Sequence, residues 1–128
     1  MSSDCKGRKK GTLLHSFSFA FSGIFHTIRH ERNMRIHCTA AGLVILFGLY
    51  FQLSASEWIF ILLAIGGMFS LELVNTAIER TVDLVTEEFH PLAKQAKDIA
   101  AGAVLVYAIL SVIIGCIIFL PKIVKNVL

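Results

Sequence analysis

Three long apolar stretches organise this chain. Cys38–Ser56 runs 19 residues without a charge, Trp58–Leu71 adds 14 more, and Ile99–Leu120 gives 22. A helix needs about 20 mainly apolar residues to cross a hydrocarbon core of about 30 Å, so the first and third stretches each predict a membrane span. The second is interrupted at Glu72 and continues as a helical pattern to about Val85; it spans only if one end tolerates polar groups. Ahead of all three, Leu13–Glu31 sets Leu14, Phe17, Phe21, Ile24, Phe25 and Ile28 on one helical face, with Ser16, Ser22, His26, Arg29 and His30 off it. Apolar on one side and basic at the end is the pattern of a helix lying in the membrane interface. The expected fold is all-α and integral to the membrane. An interfacial amphipathic helix over about 13–32 precedes three transmembrane helices over about 36–54, 57–85 and 94–120.

The basic residues orient these spans. Seven of the 12 Lys and Arg residues (Lys6, Arg8, Lys9, Lys10, Arg29, Arg32, Arg35) precede the first apolar stretch. Arg80, Lys94 and Lys97 lie in the 80–98 connection, and the Leu53–Glu57 link has none. Lys and Arg collect on the cytoplasmic side, so the N-terminus and the 80–98 loop are expected inside and the 53–57 hairpin outside. The C-terminus then falls outside, with Lys122 and Lys125 counting mildly against it. The first stretch begins after more than thirty residues and lacks a small-residue cleavage pattern, so no processing is expected.

Composition supports this reading. The chain has 128 residues, 55% apolar and 16% charged, with a mean hydropathy of +0.72; a soluble domain carries roughly a quarter charged residues. Disorder, collagen-like repeats and a disulfide scaffold are excluded. One membrane domain over 13–128 follows a basic cytoplasmic tail over 1–12. The net charge of +3 is too small to argue for nucleic acid, and Cys5, Cys38 and Cys116 lack metal-type spacing.

The second span carries an anomaly. At about 100° per residue, Glu72, Asn75, Glu79 and Asp83 fall on one stripe of one helix. A charged side chain at mid-membrane costs about 2.5–3.5 kcal/mol even on the lenient insertion scale, so the stripe must face protein or a water-filled cavity. It is either a polar seam joining subunits or a site, and the site is favoured because intramembrane carboxylates usually mark ion, proton or substrate chemistry. Carboxylates bind Mg²⁺, usually one or two of them together with substrate phosphates. A carboxylate in a partly apolar setting also suits general-base work. On depth alone, Glu72 is the natural base and Glu79, nearer the cytoplasm, the natural metal ligand.

Other polar residues gather on the same membrane face. Glu31 sits in the charged knot His30-Glu31-Arg32-Asn33-Met34-Arg35 just before the first span, where Arg35 joins Glu72 as a candidate substrate contact. Lys97-Asp98 opens the third span: either a solvated helix start or a phosphate-binding cation, since Lys serves phosphate as a compact point charge. His90-Pro91 reads as a turn. No phosphate-cradling G-x-x-x-x-G-K-[ST], no G-x-S-x-G, no H-E-x-x-H and no protein-kinase signature occurs, and the five His form no compact ligand set.

Glu72-Leu-Val-Asn75-Thr-Ala-Ile-Glu79-Arg-Thr-Val-Asp83 resembles the signature of the prokaryotic diacylglycerol kinase family, small three-span trimeric enzymes unrelated to soluble kinases. Ala93-Lys-Gln-Ala-Lys97-Asp98-Ile-Ala-Ala-Gly-Ala-Val resembles the family's second signature block. Glu31-Arg32-Asn33-Met34-Arg35-Ile36-His37 and the ending Ile-Ile-Phe-Leu-Pro-Lys resemble its Gram-positive, undecaprenol kinase branch. The resemblance covers about Ser16 to Lys122. It implies a lipid kinase of the cell membrane using ATP and Mg²⁺, built as a homotrimer with composite sites between subunits. By resemblance, Glu72 is the general base and Asn75 a polar active-site residue, while Glu31 and Glu79 hold the metal on ATP. Lys97, Asp98, Glu88 and His90 are nucleotide contacts. Phe19 stands where the Gram-negative type has a Tyr near the nucleotide, and Ala101 where that type has Ser.

Residues and resemblance agree on phosphoryl transfer to a lipid alcohol, with undecaprenol as the leading substrate and diacylglycerol as the alternative. A small oligomeric channel lined by the carboxylates, or a purely structural subunit, are the competing classes.

Overall fold

A computed structural model describes residues 13–127, and the 1–12 tail expected from the sequence lies outside them. Four helices follow in order: α1 (Leu13–His30), α2 (Arg32–Tyr50), α3 (Ala55–Val85) and α4 (Pro91–Val127). No strand occurs among the described residues. The all-α expectation holds. Helices α3 and α4 are long and apolar enough to cross a membrane.

One residue separates α1 from α2. Glu31 takes an extended conformation (φ −97°, ψ 122°), its N–H closing α1 on Thr27 O at 2.8 Å and its carbonyl accepting from Arg35 N at 3.3 Å. Helix α2 therefore covers Arg32–Tyr50 rather than about 36–54. The chain breaks at Glu31, ahead of the basic residues, and Phe51–Ser54 are used to turn the corner. There the N–H of Leu53 bonds Gly48 O and that of Gln52 bonds Leu49 O. This is the paired Schellman closure that satisfies orphan carbonyls at a helix end. Gln52 supplies its left-handed residue at φ 52°, a position that normally favours Gly.

Helix α3 starts at a full capping box: Ser54 Oγ accepts from Glu57 N at 3.3 Å, and Ser54 N donates to Glu57 Oε2 at 2.7 Å. Helix α4 opens with Pro91, whose missing N–H costs nothing in a first turn, and His90 Nδ1 accepts from Leu92 N at 3.2 Å. The His90-Pro91 turn is thus a helix start. The third span is expected over about 94–120, yet α4 runs through Pro121 to Val127. Its ring forfeits one backbone bond, and the turns beyond are tied down by Lys122 on Glu57 at 3.1 Å and by Asn126 Nδ2 on Lys122 O at 2.8 Å.

α3 and α4 form the antiparallel backbone of the molecule. Three polar links join them: Asp83–Lys97 at one end, Leu63 O–Tyr107 Oη in the middle, and Glu57–Lys122 at the other. Along α3 the two end pairs stand roughly 39 Å apart at 1.5 Å per residue, close to a bilayer with its headgroup regions. Gly67 lets the middle link form, because a Cβ there would stand 2.0 Å from Tyr107 Oη. Leu53, Ile61 and Ile118 make a small core at the hairpin end. Elsewhere the apolar surface is largely uncovered: Leu14, Phe17, Phe21 and Phe25 on α1 and Ile99, Val106, Val112 and Ile117 on α4 are all exposed.

Candidate active site

The acidic stripe of α3 turns inward where it is deepest. Glu72 is 2% exposed, Asn75 6% and Thr76 5%, while Glu79 is half-buried and Asp83 exposed. Burial on this face follows from α2 and the end of α1 packing across it, with Met34 of α2 fully buried and Thr27 of α1 folded in. His37 of α2 reaches toward Glu72, its Nε2 4.0 Å from Glu72 Oε2.

The carboxylates are held individually. Asn75 Nδ2 donates to Glu79 Oε1 at 3.0 Å, and Arg80 donates to Glu31 Oε1 at 2.9 Å. Two buried oxygens have no hydrogen-bond partner: Glu72 Oε2 and Asn75 Oδ1. Leaving such atoms unpaired costs about 1–3 kcal/mol each, and buried polar groups are normally hydrogen-bonded.

A second group of expected residues lies one step further along α3. Glu88, His90 and Lys97 line a cleft of about 670 Å³ together with Val82, Asp83 and Thr86. Lys97 is bonded to Asp83 at 2.5 Å. Asp98, its neighbour in sequence, pairs with Lys94 on the cleft wall but does not itself line the cleft. Phe19 is exposed on α1, and Arg35 lines a shallow groove on α2 with Ile36, Thr39 and Leu43. Neither enters the cleft within one chain.

Among the described residues, no three His, Cys, Asp or Glu side chains converge as a metal-holding group. Two carboxylates suffice for Mg²⁺ when substrate phosphates complete its shell. Glu31 and Glu79 each have one carboxylate oxygen engaged by a neighbour, and carboxylate oxygen is the donor chemistry Mg²⁺ takes.

Two participants were not singled out from the sequence: His37 and Arg80. His37 lies in the string Glu31–His37, but nothing local to that string shows that it faces Glu72. The Arg80–Glu31 contact joins residues 49 apart and leaves no local pattern.

A family model described as prokaryotic diacylglycerol kinase matches residues 18–119. The chain belongs to the prokaryotic diacylglycerol kinase family. Membership makes it a lipid kinase of the membrane that draws phosphate from ATP. It is similar to the undecaprenol kinase of Bacillus subtilis strain 168, 60% identical over 107 residues, covering 84% of this chain and 87% of that protein. A diacylglycerol kinase of Synechocystis is 43% identical over 110 residues, 85% of this chain and 63% of that one. The diacylglycerol kinase of Escherichia coli K12 is 26% identical over 105 residues, 82% of this chain and 86% of its own length.

Proposed function

We propose that this kinase phosphorylates undecaprenol to undecaprenyl phosphate. The observation that carries the substrate is the 60% identity to an undecaprenol kinase over most of both chains. The buried, unpartnered Glu72 Oε2 supports the chemistry.

The hydroxyl proton passes to Glu72. The lipid oxygen bonds the γ-phosphorus of ATP as the bond from that phosphorus to the β,γ-bridging oxygen breaks, and ADP leaves. Asn75 fixes Glu79 so that its free oxygen, with that of Glu31, can hold Mg²⁺, which when bound supplies positive charge to the phosphates. Glu88, His90 and Lys97 take the nucleotide, Lys97 exchanging Asp83 for phosphate. Such transfer depends mainly on positioning and electrostatics, which a few rigid helices can provide.

The same reading gives the assembly. α1 lies in the interface with its exposed Phe face in lipid, and α2, α3 and α4 span the membrane. The N-terminus and the 80–98 loop are cytoplasmic. Three copies complete one another's sites, which supplies a place for Phe19 and Arg35 outside the single-chain cluster.

Diacylglycerol is the second candidate substrate, favoured by the Synechocystis and Escherichia coli relatives. Purified protein in mixed micelles, given labelled ATP and either lipid, decides between them. Undecaprenol should be turned over at least tenfold faster, and Glu72→Gln should slow transfer to both by about 10²–10⁴. Faster transfer to diacylglycerol overturns the choice of lipid; transfer at the parent's rate in Glu72→Gln overturns the mechanism.

A further inference from the structure

The gap between His37 and Glu72 has a specific size. His37 Nε2 and Glu72 Oε2 stand 4.0 Å apart, too far for a direct hydrogen bond, which needs about 2.7–3.2 Å. A single oxygen at hydrogen-bonding distance from both atoms, about 2.9 Å from the nitrogen and 2.7 Å from the carboxylate, closes the triangle with an angle near 90° at that oxygen. Glu72 Oε2 is buried and has no partner of its own. The spacing of the pair therefore suits one bridging donor–acceptor oxygen. An alcohol has such an oxygen, whereas a phosphate or a carboxylate would set negative charge against Glu72.

What leads to the pair also matters. A groove of about 320 Å³ runs between α2, α3 and α4, lined by Ala41, Val44, Ile65, Met68 and Val112, and it reaches His37 at one end. Apart from His37 and Ser111 its named lining is apolar or glycine. An apolar groove that ends at half-buried His37, whose Nε2 faces buried Glu72 Oε2 across 4.0 Å, suits a long-chain primary alcohol entering with its hydroxyl foremost.

We propose that His37 binds and orients the lipid hydroxyl. In the tautomer protonated on Nε2, His37 donates to the alcohol oxygen and turns its O–H toward Glu72 Oε2, while the first segment of the hydrocarbon chain lies in the groove. His37 keeps its proton throughout, and the proton that moves goes from the alcohol to Glu72. This rests on Glu72 being the base but not on which lipid is used.

The test compares His37→Gln, whose amide N–H reaches about as far as Nε2, with His37→Asn, which is one methylene short. KM and kcat are measured for the lipid and for MgATP, with thermal midpoints in detergent as the folding control. His37→Asn should raise the lipid KM at least tenfold with the MgATP KM unchanged, and His37→Gln should return it to within about threefold of the parent. A lipid KM unchanged in His37→Asn overturns the proposal, as does equal impairment of both variants or a parallel rise in the MgATP KM. The assays use undecaprenol and diacylglycerol side by side, so a wrong choice of lipid shows in their relative rates and leaves the comparison of variants intact. Activity retained in Glu72→Gln marks failure of the base itself.

Discussion

Asn75 donates to Glu79 Oε1 at 3.0 Å while its own carbonyl oxygen, buried, has no partner. One turn of α3 thus fixes a candidate metal ligand and leaves a buried acceptor without a partner. Hydrogen bonds to charged groups contribute about 1.5–3 kcal/mol. Asn75→Ala should therefore weaken MgATP use by about tenfold or more, read as a rise in the MgATP KM. Asn75→Asp should be worse, because two carboxylates then face each other at i,i+4. Equal MgATP KM values across the three proteins would show that Asn75 does not set Glu79.

Glu72 and Glu79 separate by the parameter each controls. Loss of a general base typically costs about 10²–10⁴ in rate, so Glu72→Gln should lower kcat in that range with its thermal midpoint kept. Glu79→Gln should chiefly raise the MgATP KM, with partial recovery at high Mg²⁺. A Glu79→Gln variant that loses kcat alone contradicts the assignment.

Much of this was legible from residue order. Periodicity alone puts Glu72, Asn75 and Glu79 on one face, and the cost of charge in lipid requires that face to turn inward; Glu72 and Asn75 are indeed buried. The long apolar runs give α3 and α4 with their antiparallel pairing. What local pattern does not carry is contact at a distance. His37 reads as one scattered histidine until α2 folds across α3, and Arg80 counts as a loop charge until it meets Glu31. The end of α4 differs for another reason: the apolar run stops near 120, but the helix continues through Pro121 at the cost of one backbone bond, and Lys122 beyond it pairs with Glu57.

Arg80 occupies one oxygen of Glu31, a candidate metal ligand, at 2.9 Å, with the Arg side chain 51% exposed. Exposed ion pairs contribute about 0–1 kcal/mol, so Arg80→Gln should leave the thermal midpoint within a few degrees. It should also free the carboxylate and lower the Mg²⁺ concentration needed for half-maximal activity. An increased Mg²⁺ requirement would instead make Arg80 a phosphate contact.

Gln52 sits at φ 52° in the α2–α3 corner. A left-handed backbone costs a residue bearing Cβ about 1–2 kcal/mol, and glycine escapes that cost. Gln52→Gly should raise stability by about 1 kcal/mol, seen as a higher thermal midpoint with activity unchanged. Gln52→Val, β-branched at the same φ, should lower it.

Gly67 and Tyr107 test how α3 and α4 are joined. The Tyr107 ring lies over Gly67 so closely that a Cβ would meet Oη at 2.0 Å and Cζ at 2.2 Å, and the hydroxyl donates to Leu63 O at 2.9 Å. Gly67→Ala must push the ring away and forfeit that bond, an overpacking cost of about 1–3 kcal/mol. Tyr107→Phe removes only the hydroxyl and should cost about 1 kcal/mol. Because the two residues share one contact, their effects cannot add. Once Tyr107→Ala has cleared the space, Gly67→Ala should become neutral or mildly stabilising, since alanine is the better helix former by about 1 kcal/mol. Additive losses in the double variant would mean that Gly67 is needed for something other than the tyrosine packed against it.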